Sequence, residues 1–326
     1  MAARQGTPGL GVLALKTCSI DEHRHPRLWT VGLGYRYQPS FRHFVGTVEQ
    51  KQREINRNQI LNVYHLLDIS IERQLTARWS VGASIPFLFA HRNQLYNPRG
   101  RFVVNSIGDV SLGGRAWIFK PPTESGDNIS VGMFLKLPTG KYNATGLATN
   151  AQGQQIIATA DQSIQAGDGG TGFAVDLQAY KRIPFQSELY FAGLYLFNPR
   201  NTNGVSTFRN ARGEQVMSVT DQYLYRAGIG RAVPKIRGLA VSFGGRIEGV
   251  PVRDALGGSQ GFRRPGYAIS LDPGFLYARG PHMFYCNIPF AIQRNRKRSV
   301  ADYMNGRHGD AAFADYSIMF GLSRRF

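Results

Sequence analysis

The stretch "YSIMFGLSRRF", Tyr316–Phe326, ends the chain and alternates between two kinds of side chain. One set is apolar apart from Arg324, and the other is small or polar apart from Met319. A two-residue period of this kind predicts a β-strand with one apolar face. Because an open strand of this composition would template aggregation, we expect another strand to cover its edge. The first alternating segment, 27–37 ("RLWTVGLGYRY"), is the partner that would close the sheet into a barrel.

The same alternation recurs along the chain and gives twelve candidate strands, joined by five short connections interleaved with six long ones. This pattern is typical of an antiparallel up-and-down barrel in the outer membrane. The predicted fold class is therefore all-β, a transmembrane up-and-down antiparallel barrel of about 12 strands, closed by the first and last strands. A soluble all-β fold is the alternative, but nothing forces its long loops to one end. The predicted strands are 27–37, 61–72, 79–89, 109–119, 129–137, 172–181, 188–197, 221–230, 238–249, 266–278, 283–293 and 316–326. The long connections are Pro39–Gln59, His91–Asn105, Thr139–Gly172, Asn198–Thr220, Pro251–Pro265 and Arg294–Phe313.

The composition excludes a helical membrane protein and is compatible with a membrane barrel. The chain has 326 residues and a mean hydropathy of −0.26, and its apolar runs are short, such as Ile85–Ala90. A transmembrane helix needs about 18 consecutive apolar residues. Barrel strands alternate, so their average hydropathy resembles that of a soluble protein. We expect residues 27–326 to form the barrel with six long external loops, and residues 1–26 to form a periplasmic extension or a plug inside the lumen.

Three stretches in the middle third resemble a known family: "GDVSLGGRAW", "FLKLPTGKYNATG" and "SIQAGDGGTGFAVDLQAYKRI". They are similar to the outer-membrane β-barrel family described as transporters of the phenol-degradation meta pathway. In that family a Leu-Pro-Thr-Gly segment opens a long loop and a Ser-Ile-Gln-x-Gly segment returns into the next strand. Here these are Leu137–Gly140 and Ser163–Gly167, and the resemblance covers roughly Gly108–Phe197. It implies transport of hydrophobic or aromatic solutes. Phe326 also resembles the terminal aromatic residue that barrel-assembly machinery recognises.

Charged side chains of the predicted strands fall on the face opposite to the apolar one. Charges at membrane depth must face water or one another, so this face is the inner one. We predict that these side chains line a polar pore and tune its selectivity. The alternative is a lumen filled by paired charges, because a barrel of this size can be closed by its own side chains. The predicted pore-lining residues are Arg36, Asp68, Glu72, Asp109, Arg115, Lys136, Asp176, Arg226, Arg246, Glu248 and Asp272.

The net charge of +18 predicts an anionic partner. The basic residues concentrate in the predicted long loops, where they would bind lipopolysaccharide phosphates or gather anionic solutes. A solvated loop surface near an anionic leaflet is the simpler interpretation. Nucleic acid is not an expected partner, because no recognition fold carries these charges. The loop residues concerned are Arg42, Arg53, Arg57, Arg92, Arg99, Arg101, Arg209, Arg212, Arg263, Arg264 and the stretch Arg294–Arg298.

The sequence predicts neither an enzyme nor a cofactor or metal site. A lipid-hydrolysing barrel needs a Ser–His pair on its lipid-facing wall. Only His65 lies mid-strand on the apolar face, and its own strand offers no outward serine. Asp161 and Asp168 supply oxygen atoms for calcium, but their spacing does not fit an EF-hand loop. Cys18 and Cys286 are expected to be free thiols.

The leading functional prediction is a porin-like channel in the outer membrane of a Gram-negative bacterium, passing small molecules by passive or facilitated diffusion. The resemblance favours hydrophobic or aromatic solutes, whereas the inner charges favour polar ones. The alternative is a structural barrel without conductance, which associates with other copies or with other envelope proteins through its loops. The expected partners are outer-membrane lipid, lipopolysaccharide, the assembly machinery and, for a channel, a small-molecule solute.

Overall fold

The structure is a computed structural model, and it describes residues 29–97, 99–119 and 127–326. The predicted extension, residues 1–26, lies outside the described residues, as does Cys18. Among the residues described, no helix is long and apolar enough to cross a membrane. The strands are β1 Trp29–Val45, β2 Val48–Glu49, β3 Asn62–Gln74, β4 Trp79–Asn93, β5 Arg101–Ile107, β6 Ser111–Trp117, β7 Asp127–Lys136, β8 Thr145–Thr149, β9 Gln155–Thr159, β10 Gly172–Ile183, β11 Ser187–Phe197, β12 Thr202–Ser206, β13 Val216–Ser218, β14 Gln222–Ala232, β15 Leu239–Val250, β16 Gly266–Leu271, β17 Gly274–Arg279, β18 His282–Asn287, β19 Phe290–Arg296, β20 Ala311–Ala314 and β21 Ile318–Arg325. The helices are α1 Gln52–Ile55, α2 Val300–Met304 and a 3₁₀ helix at Gln162–Ile164.

The strands form a closed antiparallel barrel of 12 strands, as predicted. Eight barrel strands are continuous: β1, β3, β4, β7, β10, β11, β14 and β15. The other four consist of two segments each: β5 with β6, β16 with β17, β18 with β19, and β20 with β21. Six long connections lie at one end of the barrel, called the loop end below. The short connections and the seam between Trp29 and Phe326 lie at the other end, called the turn end.

The terminal strand is covered by the first strand, and this pairing closes the barrel. β21 pairs with β1 from Thr30 opposite Arg325 to Tyr37 opposite Ile318. At the turn end, the Phe326 amide donates to the Trp29 carbonyl at 2.8 Å. A closed sheet has no edge left to aggregate, which confirms the role predicted for the terminal segment.

The outer surface of the barrel is apolar and the inner surface is polar. Outward aliphatic side chains such as Val31, Leu33, Ile71 and Val241 are between 41% and 47% exposed. Five of the exposed aromatic side chains lie at the turn end. They are Trp29, Trp79, Phe119, Phe185 and Phe326. Polar side chains such as Ser84, Ser130, Asp176 and Asp272 are fully buried inside. An apolar outside and a polar inside are the reverse of the distribution in a soluble protein. Together with the aromatic residues at one rim, they are the surface of a barrel embedded in the outer membrane.

Neighbouring barrel strands are interrupted where the sequence predicted continuous ones. Asp272 and Pro273 separate β16 from β17, and Pro289 lies between β18 and β19. Proline has no amide hydrogen to donate to the sheet, so it interrupts regular pairing. The alternation continues across the first break, since Leu271 and Phe275 both face outward. The break therefore does not exchange the two faces of the wall.

Several predicted loop boundaries were wrong because the strands are longer than their apolar cores. β1 continues to Val45 instead of ending before Pro39, and β5 begins inside the predicted loop 91–105. β19 continues to Arg296. Arg42 and Arg294, predicted as loop residues, therefore lie on strands, and both pair with Asp315. Their charges contribute to the packed loop end of the barrel instead of a solvated loop.

The loop end carries its own apolar core inside the barrel mouth. Loop residues Ala144 and Ile164 pack against Leu66, Leu88 and Val104 of the wall. Ile164 is completely buried. Burial of a large side chain of this kind stabilises the fold by about 1.5–3 kcal/mol. The long connection from β7 to β10 is consequently folded into the mouth of the barrel.

Candidate solute pathway inside the barrel

The predicted pore-lining charges lie on the inner face, and most of them meet in ion pairs. Glu248 on β15 bonds Arg36 on β1 at 2.9 Å and Arg246 on its own strand at 3.0 Å. Because β1 and β15 are not neighbours in the barrel, the first of these pairs crosses the lumen. The three side chains are at most 12% exposed. They form a clasp across the interior, called the Glu248 clasp below.

Two further ion pairs join other parts of the wall; the predicted inner-face charges and their ion-pair partners are together called the charged band below. Arg115 on β6 bonds Asp176 on β10, with β7 between them. Arg226 on β14 lies 3.1 Å from Asp272, whose side chain is fully buried. Buried charges of this kind must be paired, since an isolated one is strongly unfavourable.

The remaining predicted residues form two smaller groups. Asp68 accepts a hydrogen bond from the Ser84 hydroxyl on the adjacent strand. Glu72 lies four residues further along β3 towards the turn end, on the same face, and is half-buried. Lys136 lies 3.7 Å from Asp109 and 2.5 Å from Asp168. Asp168 is not among the predicted pore-lining residues. The eleven residues thus share one inner surface; that they line a pore stays a prediction.

The two family-like motifs meet at Lys136 and hold the long loop in place. Gly140 of the first motif packs against Gly167 of the second, and a Cβ atom at Gly140 would lie 2.8 Å from the Gly167 Cα. The Asp109 carboxylate accepts a hydrogen bond from the Gly140 amide at 2.9 Å. Only glycine permits this backbone approach. The motifs therefore have a structural explanation, since they dock the loop onto the charged band.

A cavity of about 470 Å³ occupies the loop-end half of the barrel. Its floor includes Arg36, Asp109 and Asp168 from the charged band. Part of its wall is apolar, and the part nearer the loops carries several arginines. The apolar residues include Tyr64, Leu66, Leu88, Phe102 and Ile156, and the arginines are Arg53, Arg92, Arg209 and Arg264. A pocket of this size and lining suits a small organic molecule.

Two of these arginines contact one carboxylate, and a third lies over the same aromatic ring as one of them; the three are called the arginine cluster below. Arg264 donates two hydrogen bonds to Asp161, at 2.8 and 2.6 Å, and Arg92 lies 3.5 Å away. Burial opposes ionisation of Asp161, but the charges of Arg264 and Arg92 outweigh it and hold its pKa well below the usual value. The third member, Arg209, lies over the ring of Phe262 at 4.1 Å, and Arg264 lies over the same ring at 4.5 Å.

The arginine cluster was missed by sequence reasoning, which assigned Arg92, Arg209 and Arg264 to a solvated loop surface. The side chains of Arg92 and Arg264 are only 13% and 10% exposed. Arg92 lies on β4, and the common partner of the two, Asp161, lies in the connection between β7 and β10, 103 residues from Arg264. The one local signal was the stretch "GFRR", Gly261–Arg264, in which an aromatic residue precedes two arginines.

A second polar group lies on another part of the cavity lining. The Asp310 carboxylate contacts Arg53 Nε at 2.6 Å and His43 Nδ1 at 3.0 Å. The Ile60 amide donates to His43 Nε2 at 3.0 Å, so Nδ1 carries the proton that His43 donates to Asp310. Burial raises the pKa of Asp310, but the His43 hydrogen bond and the Arg53 charge outweigh it and hold the value at about 2.

The other candidate sites of the sequence have partners that suit packing. His65 bonds the Tyr35 hydroxyl at 2.7 Å, and its ring lies 5.2 Å from that of Tyr37. Asp161 and Asp168, considered as calcium ligands, are instead matched with arginine and lysine. In the part of the chain that the structure describes, no three His, Cys, Asp or Glu residues are placed to hold a metal ion. Cys286 is a free cysteine.

Comparison with known proteins supports the fold. No family model matches the sequence, and no curated protein sequence matches it. An outer-membrane channel from Pseudomonas putida F1 superposes with a TM-score of 0.63 at 12% identity, covering 94% of this chain and all of the other. The β-domain of the Bordetella autotransporter BrkA gives 0.51 at 15% identity, covering 91% and 100%. The chain thus has the fold of bacterial outer-membrane β-barrels, and this is the membrane in which its apolar outer surface resides.

Proposed function

We propose that the protein is an outer-membrane channel through which small molecules diffuse. The observation that carries the proposal is the cavity of about 470 Å³ inside the barrel, which lies between the long loops and the charged band. The long loops then face the cell exterior, and the eleven inner-face charges line the path that a solute follows towards the periplasm. The Glu248 clasp is its constriction, because it joins strands that are not neighbours in the wall.

The solutes best suited to this path are small and carry an apolar part. Leu66, Leu88 and Phe102 offer such a part an apolar surface. The resemblance to the family of phenol-degradation transporters supports the same class, and the superposable Pseudomonas protein is described as an outer-membrane channel. We therefore extend the proposal to hydrophobic or aromatic solutes, with polar groups directed at the arginine cluster.

The test is solute uptake by liposomes that contain the purified, full-length protein, together with planar-bilayer conductance. We expect swelling with small neutral aromatic solutes and a faster rate after Arg36→Ala combined with Glu248→Ala, which removes the lumen-crossing pair. Leu33→Ala, on the lipid-facing surface of β1, is the control and leaves the rate unchanged. Silent bilayers and no swelling for any variant would refute the channel.

One observation favours a second function, a structural barrel without conductance. The charged band is buried, and the Asp176 and Asp272 side chains are fully shielded from solvent. Such a barrel would contact lipopolysaccharide, other copies or other envelope proteins through its loops. For either function we propose that Phe326, exposed beside Arg324 at the seam, is the residue that the barrel-assembly machinery reads. Cross-linking in cells tests the protein contacts.

A further inference from the structure

The loop-end half of the cavity has more positive than negative charge. In the arginine cluster, Arg92 and Arg264 share the single carboxylate of Asp161. Arg209 lies near Glu214, but its NH1 is 3.6 Å from that carboxylate, whereas Arg307 approaches the same oxygen to 2.5 Å. The three cations of the cluster therefore share Asp161 as their one close carboxylate, since Glu214 is bound more closely by Arg307. An anion entering the cavity would restore the balance.

Arg209 is the member of the cluster best placed to bind that anion. It lines the cavity, and its side chain is 30% exposed. Among the described residues its Nε is buried without a hydrogen-bond partner. The rings of Phe208 and Phe262 lie 5.2 and 4.1 Å from its guanidinium carbon, which fixes the orientation of the side chain. Burial, followed by the charge of Arg264, lowers the pKa of Arg209 to about 10. A guanidinium held in this way is a donor for a planar carboxylate.

The apolar part of the same cavity indicates that the ligand has an apolar portion besides its negative charge. Leu66 and Leu88 are buried residues of the apolar core in the barrel mouth, and Phe102 packs against this core. An inorganic anion would leave this surface unused, and a purely apolar molecule would leave Arg209 without a partner. A small molecule with an apolar ring and one carboxylate uses both.

We propose that the cavity binds a small aromatic carboxylate, with its carboxylate on Arg209 of the arginine cluster and its ring against Leu66, Leu88 and Phe102. The inference rests on the proposed channel function and specifies its solute class. The site lies above the charged band, so it selects the solute before the constriction.

Equilibrium binding of benzoate to the detergent-solubilised, full-length protein, measured by calorimetry, tests the assignment. We expect benzamide, which has the same ring without the charge, and acetate, which has the charge without the ring, each to bind at least tenfold more weakly. Equal binding of benzoate and benzamide would overturn the proposal. This comparison needs no variant, so it does not depend on how a mutation affects folding.

Arg209→Gln is expected to weaken benzoate binding by at least tenfold. The matched control is Arg212→Gln, an exposed arginine of the same connection that does not line the cavity, and we expect a change of less than twofold. Benzoate affinity that Arg209→Gln leaves unchanged would overturn the assignment. Liposomes that pass neutral aromatics while benzoate fails to bind would refute this inference alone. Benzoate binding without flux of any solute would refute the channel and leave the binding site in place.

Discussion

Replacing Glu248 by glutamine removes the one carboxylate that the clasp arginines share. Its oxygens lie 2.9 Å from Arg36 and 3.0 Å from Arg246, and the side chains are 5–12% exposed. The variant keeps the size of the side chain but leaves two buried guanidinium groups next to each other. Removing one partner of a buried ion pair costs about 3–5 kcal/mol. Because both cations lose their partner here, we expect the free energy of unfolding to fall by about 3 kcal/mol or more.

The assay is reversible urea unfolding in detergent micelles or lipid vesicles, followed by tryptophan fluorescence. Glu72→Gln is the matched control, with the same chemical change on the same inner face. The described residues give Glu72 no ion pair, so we expect a loss of less than about 1 kcal/mol. The double variant Glu248→Gln with Arg36→Gln should recover part of the loss, since it removes one of the stranded cations.

The same substitution has an electrical consequence if the barrel conducts. It raises the net charge of the constriction by one unit, so anion selectivity measured from reversal potentials should increase. A Glu248→Gln protein as stable as Glu72→Gln would refute the reasoning, because the clasp would then contribute nothing that the ordinary inner wall lacks.

Three other outcomes can be measured. Gly140→Ala should lower the free energy of unfolding by about 1–3 kcal/mol, since the new Cβ meets backbone; Gly245→Ala, with open space at its Cβ, is the control and should change little in urea titrations. Asp310 has a folded-state pKa of about 2, below its unfolded value, so its contribution is present above about pH 4 and is lost as the pH falls towards 2. Asp310→Asn should remove that part of the acid sensitivity, and acid titrations that superpose on wild type would contradict the His43–Asp310 assignment. Deletion of Phe326 should reduce the amount of barrel in the outer membrane severalfold in cells while changing unfolding in vitro by less than about 1 kcal/mol; equal amounts in cells would contradict its recognition by the assembly machinery.

The barrel itself was predictable because the alternation that encodes each strand can be read from neighbouring residues in the sequence. Alternation assigns each side chain to a face, and the apolar strip of 316–326 required a partner that only the first strand could supply. The breaks in the wall were partly readable as well. Pro273 and Pro289 lack the amide that regular pairing needs, but their effect on segment boundaries depends on which neighbouring strand lies beside them.

The arrangement of the cavity was not predictable from the same rules. Arg264 and Asp161 are far apart in sequence, and so are Arg53 and Asp310. Apart from the aromatic residue that precedes Arg263 and Arg264, the local composition does not distinguish an arginine that folds into the mouth from one that faces solvent. The inner-face charges were found by parity, yet which of them pair depends on the curvature of the wall, as the contact of Arg36 with Glu248 across the lumen demonstrates.

The seam between β1 and β21 also dictates the order in which this protein becomes complete. The strand beginning at Trp29 is made first among the described strands, yet one of its edges is paired only when the last strand, β21, reaches it. The Arg36–Glu248 contact joins strands separated by 212 residues and likewise waits for the later part of the chain. Contacts of such long sequence separation make folding slow. Until closure, the unpaired backbone of β1 cannot enter lipid without protection, so a chain lacking its last strand loses the whole barrel and not merely one-twelfth of it.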